Sequence, residues 1–352
     1  MDIERVLHMH GLVMALKALK RTGYMNRNVS NCETVASHSV GTGLLALLLP
    51  VPANIAHERL IQMAVLHDYV ESVTGDLTPS HPQYDSKHHE EIAAAERIFA
   101  TEPHLSQLIR EYEEQSSFEA KHLKKLDKIE MMLTALWYEK EQGVDLSDLF
   151  GENTFAPLND CPFYEDIGTK LLAIHNGEMS IDDMTLTRDW RHIMTLKSMP
   201  RLGWGDRETI LEHTFGVCFW TTVLRPSNID VMTAVRFALV HDLAEAFTGD
   251  IHPDKKSTSL EAEEDEFMSS IFDGVFSPVW AEYQSPPWIS AKNWVFQCDK
   301  LDMHLTGHFY NNEEGSSEKY EWIYNSKQQS VYSSESVFSE LAFMSDFFIN
   351  SN

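Results

Sequence analysis

Apolar residues recur at helical spacing along most of the chain, and no long stretch alternates apolar and polar residues with the period of a strand. In residues 3–20 the apolar positions fall three and four apart, as on one face of an α-helix. A second helical run, from residue 33, stops at Pro50, because proline cannot continue a helix. The pattern therefore predicts an all-α protein. Further helices are predicted from residues 56 and 208, and over 86–100, 118–139, 163–174, 182–197, 260–272, 294–309 and 339–349.

The same order of elements occurs twice. The string His-Asp-x-x-Glu-x-x-Thr-Gly-Asp begins at His67 and again, 174 positions later, at His241. An internal period close to half the length indicates a duplicated domain. We therefore predict two tandem helical bundles, residues 1–179 and 180–352, packed as a pseudo-dimer. Other shared positions keep an interval of 172 to 175 residues: His38 and His213, Asp76 and Asp250, Asp127 and Asp299.

Composition narrows the possible partners. An apolar share of 43% over 352 residues is ample for two buried cores. Acidic residues number 54 against 28 Lys and Arg, so the formal net charge is -26. Duplex nucleic acid needs a basic surface, and this balance argues against such a partner. A single nucleotide stays possible, because a few local Arg and Lys suffice to hold one phosphate group.

The remaining sequence features indicate a cytoplasmic protein with no membrane partner. The four cysteines form no Cys-x-x-Cys pair and are expected to be reduced thiols. The first residues lack the basic region and cleavage site of a signal peptide. The most apolar run, residues 43–53, contains two prolines and is shorter than the roughly 20 residues that span a bilayer.

Each copy of the repeat carries four side chains that suit a divalent metal. Mixed imidazole and carboxylate ligands bind Mn, Co, Fe, Zn or Ni and leave positions open for water and substrate. Such an ion lowers the pKa of its water toward ~7. One histidine alone is more often a hydrogen-bonded core residue, but four matched positions in both halves favour one metal per half. The predicted ligands are His38, His67, Asp68 and Asp127, and then His213, His241, Asp242 and Asp299.

Two glutamates are placed to move protons at these metals. Glu71 and Glu245 follow the histidine of the string by four residues. This spacing predicts that each lies one helical turn after the histidine, on the same face. From there each can reach water on the metal. The glycine of the string is expected to end the helix, and the final aspartate to follow in the turn.

These residues resemble the HD-domain metal-dependent phosphohydrolases, whose pattern is His…His-Asp…Asp. Within that family they are most similar to the 5'-deoxynucleotidase branch, which adds Arg-x-Gly-Trp and Glu-[Ser/Thr]-Val-x-x-His. The resemblance covers nearly all of both halves. The matching strings are Arg21-Thr-Gly-Tyr24 and Glu33-Thr-Val-Ala-Ser-His38, then Arg201-Leu-Gly-Trp204 and Glu208-Thr-Ile-Leu-Glu-His213.

The resemblance implies two all-helical domains, one divalent transition metal in each, and release of phosphate from deoxynucleoside 5'-monophosphates. It also implies roles for residues outside the ligand set. Core packing at a helix end is the alternative role for the two aromatic residues. The implied roles are general acid/base for Glu71 and Glu245, orientation of water or sugar for Asp76 and Asp250, phosphate binding for Arg21 and Arg201, and contact with the nucleoside for Tyr24 and Trp204.

The second half departs from the family pattern at its pocket entrance. Twelve positions separate Arg201 from His213, whereas seventeen separate Arg21 from His38. The role of Arg207 in this shortened loop is left open. The following loop carries Lys255 and Lys256, which resemble a phosphate-binding lysine of some phage-type relatives that hydrolyse dNTPs. Solvated loop charges are the alternative for these lysines.

The leading hypothesis is a phosphohydrolase of deoxynucleoside 5'-monophosphates with a small-molecule nucleotide substrate. A phage-type dNTP triphosphohydrolase is the alternative activity, and a nucleotide-sensing half that regulates a catalytic half is another. A di-iron oxygenase is disfavoured, because the second half has no histidine at 260–264 to match His88 and His89. Those two histidines are expected at the surface. Base preference, metal identity and further homo-oligomerisation stay open.

Overall fold

The computed structural model describes residues 3–226, 229–252, 255–285 and 290–314, and the helix predicted at 339–349 lies outside them. Within these ranges the regular structure is helical, which confirms the all-α prediction. Extended pairing there is limited to two isolated bridges, Lys20 with Thr34 and Pro200 with Thr209. These bridges occupy equivalent places in the two halves.

The first half contains ten α-helices in the order that the apolar pattern predicts, with additions. The pattern did not indicate α7, nor the short helices α2 and α9. The helices are α1 Ile3–Ala18, α2 Thr22–Met25, α3 Val35–Leu48, α4 His57–Leu66, α5 Glu71–Thr74, α6 Lys87–Ile98, α7 Pro103–Glu114, α8 Phe118–Gln142, α9 Glu152–Phe155 and α10 Pro162–His175.

The second half repeats the principal helices of the first. Helix α11 corresponds to α1, α12 to α3, α13 to α4, α14 to α5, α15 to α6 and α17 to α8. The helices are α11 Thr185–Ser198, α12 Ile210–Val223, α13 Val231–Val240, α14 Glu245–Thr248, α15 Thr258–Ser270, α16 Ser277–Gln284 and α17 Ser290–Glu314.

Helices α3 and α12 form the centre of the molecule. Every residue of α12 and all but the last two of α3 are buried, as expected of helices that are apolar all round. Each begins at a threonine whose side chain accepts a hydrogen bond from a backbone amide of the first turn, Thr34 from Ser37 and Thr209 from Glu212. The two helices pack on each other across the boundary between the halves.

The contacts between the halves are reciprocal. Helix α3 packs on α13 as α12 packs on α4, and α1 packs on α17 as α11 packs on α8. Reciprocal pairs of this kind define an interface with twofold symmetry. The rings of Tyr69 and Phe219 stack across it, with centroids 4.5 Å apart. One continuous apolar core runs through both halves, so they pack as a pseudo-dimer.

The structure corrects the local geometry expected for the repeated string. Helix α4 ends at Leu66, and α5 begins only at Glu71. Between them the amides bond three residues back, Tyr69 N to Leu66 O at 2.9 Å and Glu71 N to Asp68 O at 3.0 Å. The prediction that histidine and glutamate share one continuous helix is therefore wrong, because the turn tightens here. Gly75, at φ 80°, ends α5 as predicted.

Candidate metal centres

The first centre gathers its four predicted ligands from three separate helical regions. His38 lies on α3, His67 and Asp68 follow the end of α4, and Asp127 lies on α8. The ligand atoms of His38, His67 and Asp68 all lie within 4.8 Å of one another. Asp127 Oδ1 is 3.3 Å from His38 Nε2. The first centre is therefore a compact group of two imidazoles and two carboxylates.

The second centre has the same composition and nearly the same distances. The ligand atoms of His213, His241 and Asp242 again lie within 4.8 Å of one another. Asp299 Oδ1 is 3.2 Å from His213 Nε2. His213 lies on α12 and Asp299 on α17, the counterparts of α3 and α8. The repeat seen in the sequence is therefore also a repeat of geometry.

Hydrogen bonds orient the ligand histidines. His67 Nδ1 lies 2.8 Å from the carbonyl oxygen of Ala64, and His241 Nδ1 lies 2.7 Å from that of Ala238. A carbonyl oxygen only accepts hydrogen bonds, so Nδ1 is the donor and the lone pair of the neutral ring is on Nε2. Second partners of this kind fix the tautomer of metal-binding histidines.

Carboxylates orient the other two ligand histidines. Glu130 Oε2 lies 2.6 Å from His38 Nδ1, and Asp302 Oδ2 lies 2.9 Å from His213 Nδ1. Both acids are fully buried. Glu130 lies three residues after Asp127, and Asp302 lies three residues after Asp299. This spacing places acid and predicted ligand on one face of a helix.

Buried atoms without partners provide the test of whether these residues fit a metal. The Nε2 atoms of His38, His67, His213 and His241 make no hydrogen bond of acceptable geometry among the described residues. A buried polar atom without a partner costs roughly 1–3 kcal/mol. Four such lone pairs, each next to carboxylates, are the donors that a divalent cation uses. The residues of both centres fit a divalent metal.

The electrostatic field of the first centre also favours a cation. Burial and the charge of Arg21 both oppose protonation of His38, but Glu130 and Asp127 outweigh them and raise the pKa of His38 to about 10. A site that stabilises an extra proton so strongly attracts positive charge of any kind.

The two predicted acid/base glutamates lie near the predicted ligands, Glu71 buried and Glu245 half-buried. Burial and the carboxylate of Asp68 raise the pKa of Glu71 well above its usual range, while Lys87 opposes the rise. The Nζ atom of Lys87 donates to Glu71 Oε1 at 2.8 Å. Burial and Asp242 likewise raise the pKa of Glu245. The Oε2 atom of each glutamate has no hydrogen-bond partner among the described residues.

The two predicted phosphate-binding arginines lie at the edges of the ligand groups. Arg21 Nη1 is 3.2 Å from Asp68 Oδ2. Arg201 Nη2 is 3.6 Å from Asp299 Oδ1. The second arginine thus contacts a different ligand from the first, in keeping with the shorter loop between Arg201 and its helix.

The aspartates that end the two strings accept hydrogen bonds from the backbone. Asp76 Oδ2 accepts a hydrogen bond from Thr22 N, and Asp250 Oδ2 accepts one from Leu202 N, each at 2.6 Å. Both donors directly follow the arginines of the centres. The aspartates therefore hold the turn that presents each arginine. Their predicted role in orienting water or sugar stays a prediction.

The predicted nucleoside contacts lie in packed surroundings. Tyr24 is 2% exposed, donates to the carbonyl oxygen of Met131 at 2.8 Å and packs its ring against Tyr138. Trp204 packs against Tyr310 in a small apolar cluster. These surroundings match the packing alternative for both residues. Lys255 is exposed, whereas Lys256 pairs with the buried Glu264 at 2.9 Å.

Several residues near the centres were not singled out from the sequence. Asp127 Oδ2 lies 3.0 Å from Lys124 Nζ, 3.6 Å from Lys128 Nζ and 3.2 Å from Tyr112 Oη. Lys124 precedes Asp127 by three residues, the spacing of one helix face, so its position was a readable signal. Tyr112 comes from the unpredicted α7. His88 and His89 are exposed, as expected.

The chain belongs to the HD domain family, whose model matches residues 13–157 and 193–339. One match falls in each half, and each match contains the four predicted ligands of that half. Within the part of the chain that the structure describes, no helix has the length and apolarity to cross a membrane.

Two curated proteins illustrate the similarity. The human 5'-deoxynucleotidase HDDC2 is 36% identical over 134 residues, which are 36% of this chain and 65% of the human protein. The 5'-deoxynucleotidase YGK1 of Saccharomyces cerevisiae is 29% identical over 152 residues, 40% of this chain and 70% of the yeast protein. This chain thus spans about two thirds of the length of these relatives.

A solved structure with a similar chain is a conserved hypothetical protein from Pyrococcus furiosus. It is 27% identical, with a TM-score of 0.42, and the match covers 49% of this chain and 99% of that one.

Proposed function

We propose that the protein is a metal-dependent phosphohydrolase that releases phosphate from deoxynucleoside 5'-monophosphates. The observation that carries this proposal is the pair of matched histidine and aspartate groups, each with a glutamate of raised pKa and an arginine at its edge. The names of the human and yeast relatives supply the substrate class. The two catalytic units are proposed to be residues 1–179 and 180–352, with a nucleotide rather than a nucleic acid as partner.

The proposed ligands are the four residues of each centre, with one divalent transition metal per half. Two imidazoles and two carboxylates suit Mn, Co, Fe, Zn or Ni. When bound, such a metal acts as a Lewis acid that polarises a phosphoryl oxygen and makes water nucleophilic at neutral pH.

Arg21 and Arg201 are proposed to bind the phosphate. A guanidinium group offers paired N–H donors that match two oxygens of a phosphate. Arg21 is held by Asp68 and by the turn anchored at Asp76, so its donors are fixed before substrate arrives. Prior fixing lowers the entropic cost of binding.

Glu71 and Glu245 are proposed to transfer the proton. When water displaces the nucleoside, the bond from phosphorus to the 5'-oxygen breaks and that oxygen takes up a proton. The raised pKa of each glutamate favours a proton on its buried Oε2 atom, which has no partner among the described residues. In the first half, Lys87 Nζ lies beside Oε1 and stabilises the carboxylate that remains after the transfer.

A second candidate is a catalytic first half regulated by a nucleotide-sensing second half. The contact between Lys87 and Glu71 favours it, because the corresponding position of the second half is Leu260. In the second half Lys256 bonds to Glu264 instead of Glu245.

A substrate panel tests the leading proposal. The protein is assayed with dNMPs, NMPs and dNTPs in the presence of Mn, Co, Mg or Zn, and phosphate is resolved from triphosphate as product. We expect phosphate and nucleoside from dNMPs, with NMPs and dNTPs turned over more slowly. Triphosphate release from dNTPs would instead establish the phage-type activity.

A further inference from the structure

Two buried lysines cross the boundary between the halves in opposite directions. Lys197, on α11 of the second half, donates to Glu33 and Glu130 of the first half. It also donates to Thr134 Oγ1 at 2.9 Å. Its side chain is 2% exposed. The three donors of one ammonium group are therefore all directed at side chains of the other half.

Lys17 makes the corresponding contacts in the other direction. It lies on α1 of the first half and donates to Glu208 Oε1 at 2.7 Å and to both carboxylate oxygens of Asp302 at 3.0 Å. Its side chain is 1% exposed. Lys17 and Lys197 each precede the arginine of their own half by four residues, so they are equivalent positions.

One of the two acids that each lysine contacts also orients a predicted ligand histidine. Glu130 faces Nδ1 of His38, and Asp302 faces Nδ1 of His213. A continuous series of contacts therefore runs from a lysine of one half, through a carboxylate, to a metal-ligand histidine of the other half. The same series occurs twice.

Two glycines make room for these carboxylates. A Cβ atom at Gly41 would lie 2.7 Å from Glu130 Oε1, and one at Gly216 would clash with Asp302 even more closely. Both glycines follow their ligand histidine by three residues. Any larger residue would displace the acid from the histidine, so both halves keep the space that the series of contacts needs.

The buried carboxylates around each of the two lysines explain why a cation is needed there. Glu33 and Glu130 are both fully buried beside the same ammonium group. Two carboxylates close together without a cation repel each other strongly in a low-dielectric interior. Lys197 therefore holds Glu130 in the orientation that faces His38, and Lys17 does the same for Asp302 and His213.

We propose that Lys197 and Lys17 are positioning residues, each of which completes the metal centre of the opposite half. On this basis neither half forms a competent centre alone, and the two centres of the pseudo-dimer depend on the contact between the halves. The inference rests on the proposed metal ligands of the proposed function, but not on the identity of the substrate.

The experiment measures cobalt(II) binding to one centre at a time, without nucleotide. In a His241→Ala, Asp242→Ala background only the first centre remains. There, Lys197→Met should weaken cobalt(II) binding by ~10–100-fold, the range for partners of metal ligands, and alter the visible cobalt spectrum. Lys17→Met is the matched control and should leave that binding unchanged. In a His67→Ala, Asp68→Ala background the effects should exchange.

Crossed effects separate the proposal from general destabilisation. Equal weakening by both lysine variants, or weakening by neither, overturns it. Because no nucleotide is present, a protein inactive on dNMPs still gives a readable result.

A double variant covers the case in which Lys197→Met fails to fold. Lys197→Met with Glu33→Gln removes one positive and one negative charge together, so the repulsion is relieved. The folded double variant should still bind cobalt(II) weakly at the first centre, because Glu130 has lost the lysine that orients it. Full affinity at that centre would show that Lys197 only balances charge, and would overturn the positioning role.

Discussion

The two halves surround their predicted ligands with cations that match only in part. In the first half Lys87 bonds to Glu71, and Lys124 and Lys128 lie 3.0 Å and 3.6 Å from Asp127. In the second half Lys300, the equivalent of Lys128, lies 2.9 Å from Asp299. The ligand geometry is therefore held almost constant between the halves, while the charge beside the glutamate and the last ligand has diverged.

The divergence is visible in the sequence once the halves are superposed. At the interval of the repeat, Lys87 corresponds to Leu260 and Lys124 to Phe296. Lys256, on the loop before α15, supplies a cation near Glu264 from a different backbone position. We therefore expect two competent centres whose rates and pH profiles differ.

The largest expected effect comes from the glutamates. Glu71→Gln and Glu245→Gln keep size and hydrogen-bonding reach but remove proton transfer, which typically contributes ~10²–10⁴-fold in rate. Each single variant should retain the turnover of the other half, and the double variant almost none. Steady-state kinetics with a dNMP substrate measures this, with metal content as the control that the centres stay loaded.

The same variants also test whether the two halves have different functions. If one half is a sensor, one glutamine variant abolishes hydrolysis and the other leaves it largely intact. Full activity in the double variant would contradict the proton-transfer role of both residues.

A smaller effect is expected from the arginines. Hydrogen bonds to charged groups contribute about 1.5–3 kcal/mol, so Arg21→Met should raise KM for the first half by roughly 10–100-fold. The assay uses the Glu245→Gln background, and Arg201→Met is tested in the Glu71→Gln background. Arg27→Met is the control, since Arg27 pairs with the exposed Asp148. An unchanged KM in both arginine variants would remove them from the phosphate site.

The smallest expected effect is a shift in pH dependence when a lysine near each centre is removed. The cation Lys87 lowers the pKa of Glu71, so Lys87→Met should raise that pKa. The limb of the pH profile that reports Glu71 should then move to higher pH by about one pH unit or more. Lys256→Met should move the profile of the second half less, because Lys256 bonds to Glu264. Equal shifts in the two halves would contradict the difference described here.

The sequence predicted which four residues of each half would lie together, because they recur at a matched interval. Two copies of His-Asp with matched partners identified the residues that the structure brings together in each half. The long helices α8 and α17 were predicted because both carry clear apolar faces. Helix α7 was missed although its apolar spacing is regular, because no part of the repeated motif falls within it.

The sequence did not reveal what lies behind the ligands. The contacts of Lys17 and Lys197 join residues of opposite halves that are 63 to 285 positions apart, and no local pattern encodes such pairs. Glycine three residues after His38 and His213, and an acid three residues after Asp127 and Asp299, were repeated signals of these contacts. The break between α4 and α5 also escaped prediction, because the residues there have no propensity that separates a helix from a tight turn.

The most direct test of two complete centres in one chain is the metal content of the purified protein. The account predicts two ions per chain, falling to one in His67→Ala, Asp68→Ala and to one in His241→Ala, Asp242→Ala, with the other centre still loaded in each case. A metal content unchanged by either pair of substitutions would contradict it.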